Sequence, residues 1–268
     1  MAEYDRNENA STNEKPPACI EKYGMKIAVL ADIHGNIAAL RQVLAQARDE
    51  QSERLFVLGD MVGYYYAARD VIRSLKEWPM DAIRGNHERS FAETLLSDEA
   101  GELYRKRYGS ALDVARETLD QQDIDWLAAL PDRTEARLGN LRFELCHGSP
   151  RNADEYVYPN TAMDVLDACR IADRDMILMG HTHYPMLLAK PKPVLVNPGS
   201  VGQARDVGGF ASWALIDTHT QTVTLKRTAY DTSALAEEVR RRDPHLPYLV
   251  DVLHRGSTEQ ASTAKNRQ

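Results

Sequence analysis

At 268 residues, 43% of them hydrophobic and 27% charged, the chain has enough apolar material for one sizeable core. No apolar run approaches the roughly 20 residues of a membrane-spanning helix, and a formal net charge of −7 argues against duplex nucleic acid as a partner. Scattered cysteines (Cys19, Cys146, Cys169) with no CxxC spacing, behind a polar, acidic Met1–Lys15, exclude a disulfide framework, a structural zinc site and a signal peptide, and point to a reducing cytoplasm.

Residues 1–24 are polar, contain Pro16-Pro17, and are expected to be disordered, as are residues 256–268; one domain is expected over 25–255. Met25–Ala31 reads as a buried strand, and Asn36–Gln51 has helical spacing through Ile37, Leu40, Val43 and Leu44. Leu55–Leu58 is predicted as a strand, Val71–Trp78 as a helix, Ala82–Arg84 as a short strand, and 88–130 as mostly helical. Strands are then predicted at Leu141–Cys146, Met176–Met179, Leu195–Val196, Ala211–Asp217 and Thr222–Tyr230, with a helix over Met163–Ile171. A last helix is predicted to begin near Asp231–Ser233, residue types that make good N-caps. Strand–helix alternation followed by a strand-rich second half predicts an α/β fold of two sheets packed face to face with helices outside.

Nearly every buried run ends in a small polar cluster, where open α/β sheets place their chemistry. In order these are Asp32-Ile33-His34-Gly35-Asn36, Gly59-Asp60, Gly85-Asn86-His87-Glu88, Cys146-His147-Gly148, Gly180-His181-Thr182-His183 and Asn197-Pro198-Gly199-Ser200. Asp32 and His34, like His181 and His183, are two apart; on extended backbone each pair would project to one face. Imidazole, carboxylate and amide oxygen suit manganese, iron, zinc, cobalt or nickel. Two carboxylates against two divalent ions leave about +2, which favours an anionic phosphate ester. Taken singly, each cluster has a plainer reading: a cap at Asp32, a turn at Gly59-Asp60, a hydrogen-bonded buried histidine at His147. Their fixed order at successive strand ends does not. Neither a Gly-x-x-x-x-Gly-Lys loop, a Gly-x-Gly-x-x-Gly turn nor a Gly-x-Ser-x-Gly elbow is present.

The pattern D-x-H, G-D, G-N-H-[DE], H, G-H-x-H resembles the calcineurin-like metallophosphoesterase superfamily. The wording LADIHGN, GDMVGYY, RGNHE, GHTHYP and VNPGSVGQARD is most similar to its bacterial and archaeal single-domain phosphodiesterase-like branch. The resemblance spans about Met25 to Ala229. It implies a four-layer αββα sandwich of two mixed β-sheets. It also implies two divalent cations, manganese favoured: Asp32, His34 and His183 on one, Asn86, His147 and His181 on the other, Asp60 bridging. His87 matches the non-ligand histidine that faces the leaving group. The expected chemistry is in-line attack of a metal-bridging hydroxide on a small nucleotide-like diester, with Arg205 as a candidate phosphate clamp. Gly59–Tyr64 lacks the Val-Asp-Arg-Gly run of protein phosphatases, which argues against a phosphoprotein substrate. The alternatives are a phosphomonoesterase or nucleotide phosphatase, and a protein-interaction module of the kind the retromer subunit makes of this fold; the intact ligand set favours an enzyme. Homo-oligomerisation is left open. So are Arg84 (a site residue or a partner of a structural carboxylate), the tyrosines 64–66 (stacking on a base or packing in the core) and the aromatic and basic residues of 88–130, including Phe91, Tyr104, Arg105, Lys106, Arg107 and Tyr108, which either wall the pocket or form a solvated face.

Overall fold

A computed structural model describes residues 24–256, so the expectations of disorder for 1–24 and 256–268 fall outside the described residues, apart from Gly24 and Gly256. Among those residues the strands form two five-stranded mixed sheets. The first has β1 (Lys26–Leu30), β2 (Ser52–Val57) and β3 (Met80–Ala82) parallel, with β9 (Phe210–Asp217) and β10 (Thr222–Ala229) added antiparallel, in the order β10-β9-β1-β2-β3. The second runs β4-β5-β6-β8-β7, from β4 (Arg133–Leu138), β5 (Leu141–Cys146), β6 (Met176–Leu178), β8 (Val194–Asn197) and β7 (Met186–Leu188).

The inner strands read as unbroken apolar runs because both faces are covered. Ile27, Val29 and Ala31 point into the layer between the sheets with Phe56, Phe143 and Leu145, where the Phe56 and Phe143 rings meet edge to face at 5.3 Å. Ala28, Leu30, Leu55 and Val57 point the other way, onto α1 (Ile37–Asp49), α2 (Ala68–Lys76), α3 (Asn86–Leu96), α4 (Asp98–Tyr108), α5 (Ala111–Thr118) and α6 (Gln121–Ala129). The outer face of the second sheet is covered by Leu166 and Cys169 at α7 (Met163–Ala168) and by Val157. Asn36 starts α1 by accepting from the Ala39 amide at 3.1 Å, which places the expected helix boundary one residue early. The predicted strand Ala82–Arg84 is displaced: pairing ends at Val57–Ala82, after which Arg84 N–H turns away to Pro131 O at 2.9 Å.

The tyrosine run divides by position. Tyr65 donates to Leu249 O at 3.0 Å and Tyr66 to Asp243 at 2.7 Å, packing under α8 (Ser233–Arg242) and α9 (Tyr248–Asp251), while Tyr64 turns toward the histidine clusters. Phe91 lies in the helix-side core. Arg84 pairs with Asp132 through two hydrogen bonds of 2.7 and 3.0 Å, the structural alternative for that residue. Arg105, Lys106 and Arg107 are exposed on α4 and face solvent.

Candidate metal centre

The polar clusters leave the C-terminal ends of β1, β2, β3, β5 and β6 and meet above the seam between the sheets. The expected extended geometry of the D-x-H and H-x-H pairs is not what forms. Asp32, His34, Asp60, His181 and His183 all have positive φ, between 52° and 68°, so the chain turns as soon as each strand ends. Asp and His are among the residues that best tolerate this left-handed region. The loops interlock through backbone bonds from Asp32 N to Gly59 O (3.1 Å) and from His34 N to Asp60 O (2.8 Å). Gly85 is obligatory for close approach, since a Cβ there would lie 2.1 Å from Asp60 Oδ1.

Each central carboxylate divides its work between its two oxygens. Asp32 Oδ2 accepts the His181 amide at 3.0 Å, and Asp60 Oδ1 accepts the His87 amide at 2.8 Å. The other oxygens face the middle of the cluster. Asp60 Oδ2 lies 3.3 Å from His147 Nε2, 3.7 Å from His34 Nε2 and 4.0 Å from His87 Nε2. Asp32 Oδ1 lies 3.5 Å from His183 Nε2.

The imidazoles are oriented from behind. Nδ1 of His34, His147 and His183 faces the backbone carbonyls of Val62 (3.2 Å), Leu58 (2.7 Å) and Gln203 (2.7 Å). A carbonyl only accepts, so these rings carry hydrogen on Nδ1 and turn Nε2 inward, as a lone pair in the neutral rings of His34 and His183. His34 and His183 thereby bring two Nε2 atoms within 3.1 Å of each other, and Asn86 Oδ1 reaches 3.0 Å from His147 Nε2. Asp32 Oδ1 and His181 Nε2 are buried with no hydrogen-bond partner. Converging lone pairs and orphaned buried acceptors are costly unless a cation answers them. The donor set fits divalent metal: ligand atoms of Asp32, His34 and His183, and of Asp60, His147 and His181, lie within 4.8 Å of one another in each group. His34, Asp60 and His87 form a third such group.

Burial dominates the protonation of the cluster. It pushes Asp32 up to about 8 and lowers His181 to about 3 and His87 to about 4, with His34 and His183 also driven down. Burial also opposes charge on His147, but the Asp60 carboxylate, followed by Asp32, outweighs it and raises that ring to about 10. Asp60 is held well below the usual carboxylate range: burial would raise it, but His147, His87 and His34 prevail.

Several supporting residues carried no role in the sequence reading. Glu88, buried on α3, accepts four backbone N–H groups: Asp60 (2.8 Å) and Gly85 (2.7 Å) at Oε2, Met61 (2.7 Å) and Val62 (3.1 Å) at Oε1. Its place in G-N-H-[DE] was visible, but not that it ties the Asp60 loop to the Asn86 turn. Asn197 and Ser200 act in the same way. Asn197 Nδ2 donates to Gly180 O (2.7 Å), and Ser200 Oγ donates to Asp32 O (2.7 Å). Arg205 lies at the rim, its Nη2 3.5 Å from the Tyr64 hydroxyl, and its charge reaches Asp32 and the cluster histidines. Tyr156 packs over the His181 ring at 3.9 Å.

The sequence pattern of the Calcineurin-like phosphoesterase superfamily domain matches residues 25–221. The chain belongs to the calcineurin-like phosphoesterase superfamily. It is 26% identical over 230 residues to an uncharacterized protein of Methanocaldococcus jannaschii, covering 80% of this chain and 91% of that protein. Among solved structures it is similar to a hypothetical protein of Pyrococcus horikoshii (TM-score 0.75, 25% identity, 87% of this chain and 98% of that one). A metallophosphoesterase from Sphaerobacter thermophilus gives a TM-score of 0.70 with 26% identity over 85% of this chain and 98% of its own. Family membership supports a phosphoester hydrolase of a metal-dependent family, and the two five-stranded sheets flanked by helices match the sandwich that the sequence resemblance implies. Among the described residues, no helix is long and apolar enough to cross a membrane.

Proposed function

We infer that the protein hydrolyses small nucleotide-like phosphodiesters with two divalent ions, manganese favoured, held by the seven clustered residues. The inward-facing Nε2 atoms around Asp32 and Asp60 carry this reading. Asp32, His34 and His183 would hold one ion, Asn86, His147 and His181 the other, and Asp60 would serve both. When bound, two such ions supply Lewis acidity toward a phosphoryl oxygen and lower the pKa of an attacking water. The name of the Sphaerobacter thermophilus relative, a metallophosphoesterase, supports the metal dependence. His87, its Nε2 4.0 Å from Asp60 Oδ2, would stabilise the leaving oxygen by a hydrogen bond. Arg205 at the rim would grip a non-bridging phosphate oxygen.

The test is a metal analysis combined with a substrate panel. Protein reconstituted with manganese should retain up to two ions per chain and hydrolyse bis-nitrophenyl phosphate faster than nitrophenyl phosphate or nucleoside monophosphates. Chelation should abolish the activity. Failure to retain manganese, iron, nickel or zinc would remove the metal reading, and faster monoester turnover would make the protein a phosphatase. Arg205→Ala should raise KM for the diester about tenfold while changing kcat less, as expected for a lost charge-assisted hydrogen bond. An unchanged KM in steady-state assays would take Arg205 out of the substrate site.

A further inference from the structure

The histidines of the site divide by what Nδ1 meets. In His34, His147 and His183 it meets a carbonyl, which fixes hydrogen on Nδ1. In His87 it meets the Tyr104 hydroxyl at 2.5 Å, with both side chains buried. A phenol can donate or accept, so satisfaction of its own proton decides the direction. Among the described residues the Tyr104 oxygen has no second hydrogen-bond partner. Donating to Nδ1 satisfies the buried O–H, whereas accepting from Nδ1–H would strand it. With Nδ1 accepting, the hydrogen of the neutral ring sits on Nε2, which faces the Asp60 Oδ2 carboxylate oxygen at 4.0 Å.

We propose that Tyr104 is a positioning residue that locks His87 as the Nε2–H tautomer, making it a hydrogen-bond donor toward the substrate and not a metal ligand. An Nε2 that bears hydrogen has no lone pair for an ion, although His87 is grouped with His34 and Asp60 within 4.8 Å. This also gives a reason for the second glycine of GDMVGYY. At Gly63, φ is +89°, and a Cβ would lie 2.2 Å from His87 Nδ1 and 2.7 Å from the Tyr104 hydroxyl. Any side chain there would displace the phenol from the ring. Helix α4 supplies Tyr104, and the loop after Asp60 leaves it room. No proton is transferred in this arrangement. Tyr104 and His87 keep theirs, and the substrate oxygen gains one N–H donor.

The proposal rests on the phosphoesterase reading of the cluster, and one experiment separates the two. In zinc-loaded protein with ¹⁵N-labelled histidine, two-bond ¹H–¹⁵N correlation spectra should show His87, assigned by its loss in His87→Ala, as the Nε2–H tautomer. His34, His147 and His183 should show Nδ1–H. Tyr104→Phe should retain wild-type metal content and erase the single-tautomer pattern of His87. It should lower kcat about tenfold on a diester with an alkoxide leaving group and at most about twofold on bis-nitrophenyl phosphate. In a His87→Ala background the same change should have no further effect on kcat, whereas a merely structural Tyr104 would lower it again. A wild-type His87 with hydrogen on Nδ1, wild-type kinetics in Tyr104→Phe, or equal losses in both backgrounds would overturn the proposal. An inactive wild type would overturn the phosphoesterase reading alone, and the tautomer spectrum would still decide the role of Tyr104.

Discussion

Asp60→Asn should lower kcat/KM by at least about a hundredfold and still leave a folded protein. The substitution keeps shape, and the direction of the new amide is set by its neighbours. The oxygen must stay at the Oδ1 position to accept the His87 N–H at 2.8 Å. The NH₂ group then takes the place of Oδ2, facing Nε2 of His147 at 3.3 Å and of His34 at 3.7 Å. It would set an N–H donor against the rings proposed to hold metal and remove the oxygen that we propose serves both ions. Loss of partners one shell further out already costs roughly 10–100-fold in metal affinity or activity, so a central ligand should exceed that. Kinetics in manganese, metal stoichiometry by elemental analysis and thermal melts by circular dichroism check the expectation together. Full metal content with retained activity would show that Asp60 does not bridge, and an unfolded variant would show that its role is structural.

Glu88→Gln should lose stability and activity together, for a different physical reason. Each Glu88 oxygen receives two backbone N–H groups: Asp60 and Gly85 at one, Met61 and Val62 at the other. A glutamine can satisfy only one pair. Whichever way its amide is flipped, the NH₂ group points at two buried donors. Unsatisfied buried donors cost roughly 1–3 kcal/mol each, so a loss of about 3–5 kcal/mol is expected, corresponding to roughly 6–20 °C in Tm for a domain of this size. Burial, and then the Asp60 charge, raises the Glu88 carboxyl above its ordinary range, against the pull of the amides of Gly85, Asp60 and Val62. The amides displaced are those that hold Asp60 and the Asn86 turn in place, so kcat should fall even below the melting transition. A variant that melts like wild type would mean that the loop holds its shape without the carboxylate.

What the sequence displayed was chemistry at strand exits. Asp32, His34, Asp60, Asn86, His147, His181 and His183 stand in short, recognisable words, and the structure gathers them at one place. The supports were less legible because their partners are distant in sequence. Nothing local to Glu88 announces contacts with Asp60, and nothing local to Tyr104 announces His87. Two strands were missed for related reasons. β4 lies at an edge, with alternate residues exposed and charges at Arg133, Glu135 and Arg137, so its apolar pattern is faint. β7 has only three residues and follows directly on the histidine loop. The D-x-H pairs were placed correctly together but for the wrong backbone reason, since alternation along a strand is replaced by left-handed turns.

Those turns have a thermodynamic consequence. Asp32, His34, Asp60, Tyr64, His181 and His183 all sit at positive φ without being glycine. Holding an L-residue there costs up to roughly 1–2 kcal/mol, less for aspartate and histidine than for tyrosine, and a domain's whole net stability is only about 5–15 kcal/mol. The loops of the proposed site therefore consume part of the margin by which the fold survives, and the double sheet beneath them must supply it. Asparagine at these positions would ease the torsional cost while removing five of the side chains proposed to hold metal, those of Asp32, His34, Asp60, His181 and His183. Stability and the proposed metal site are set against each other in the same backbone torsions.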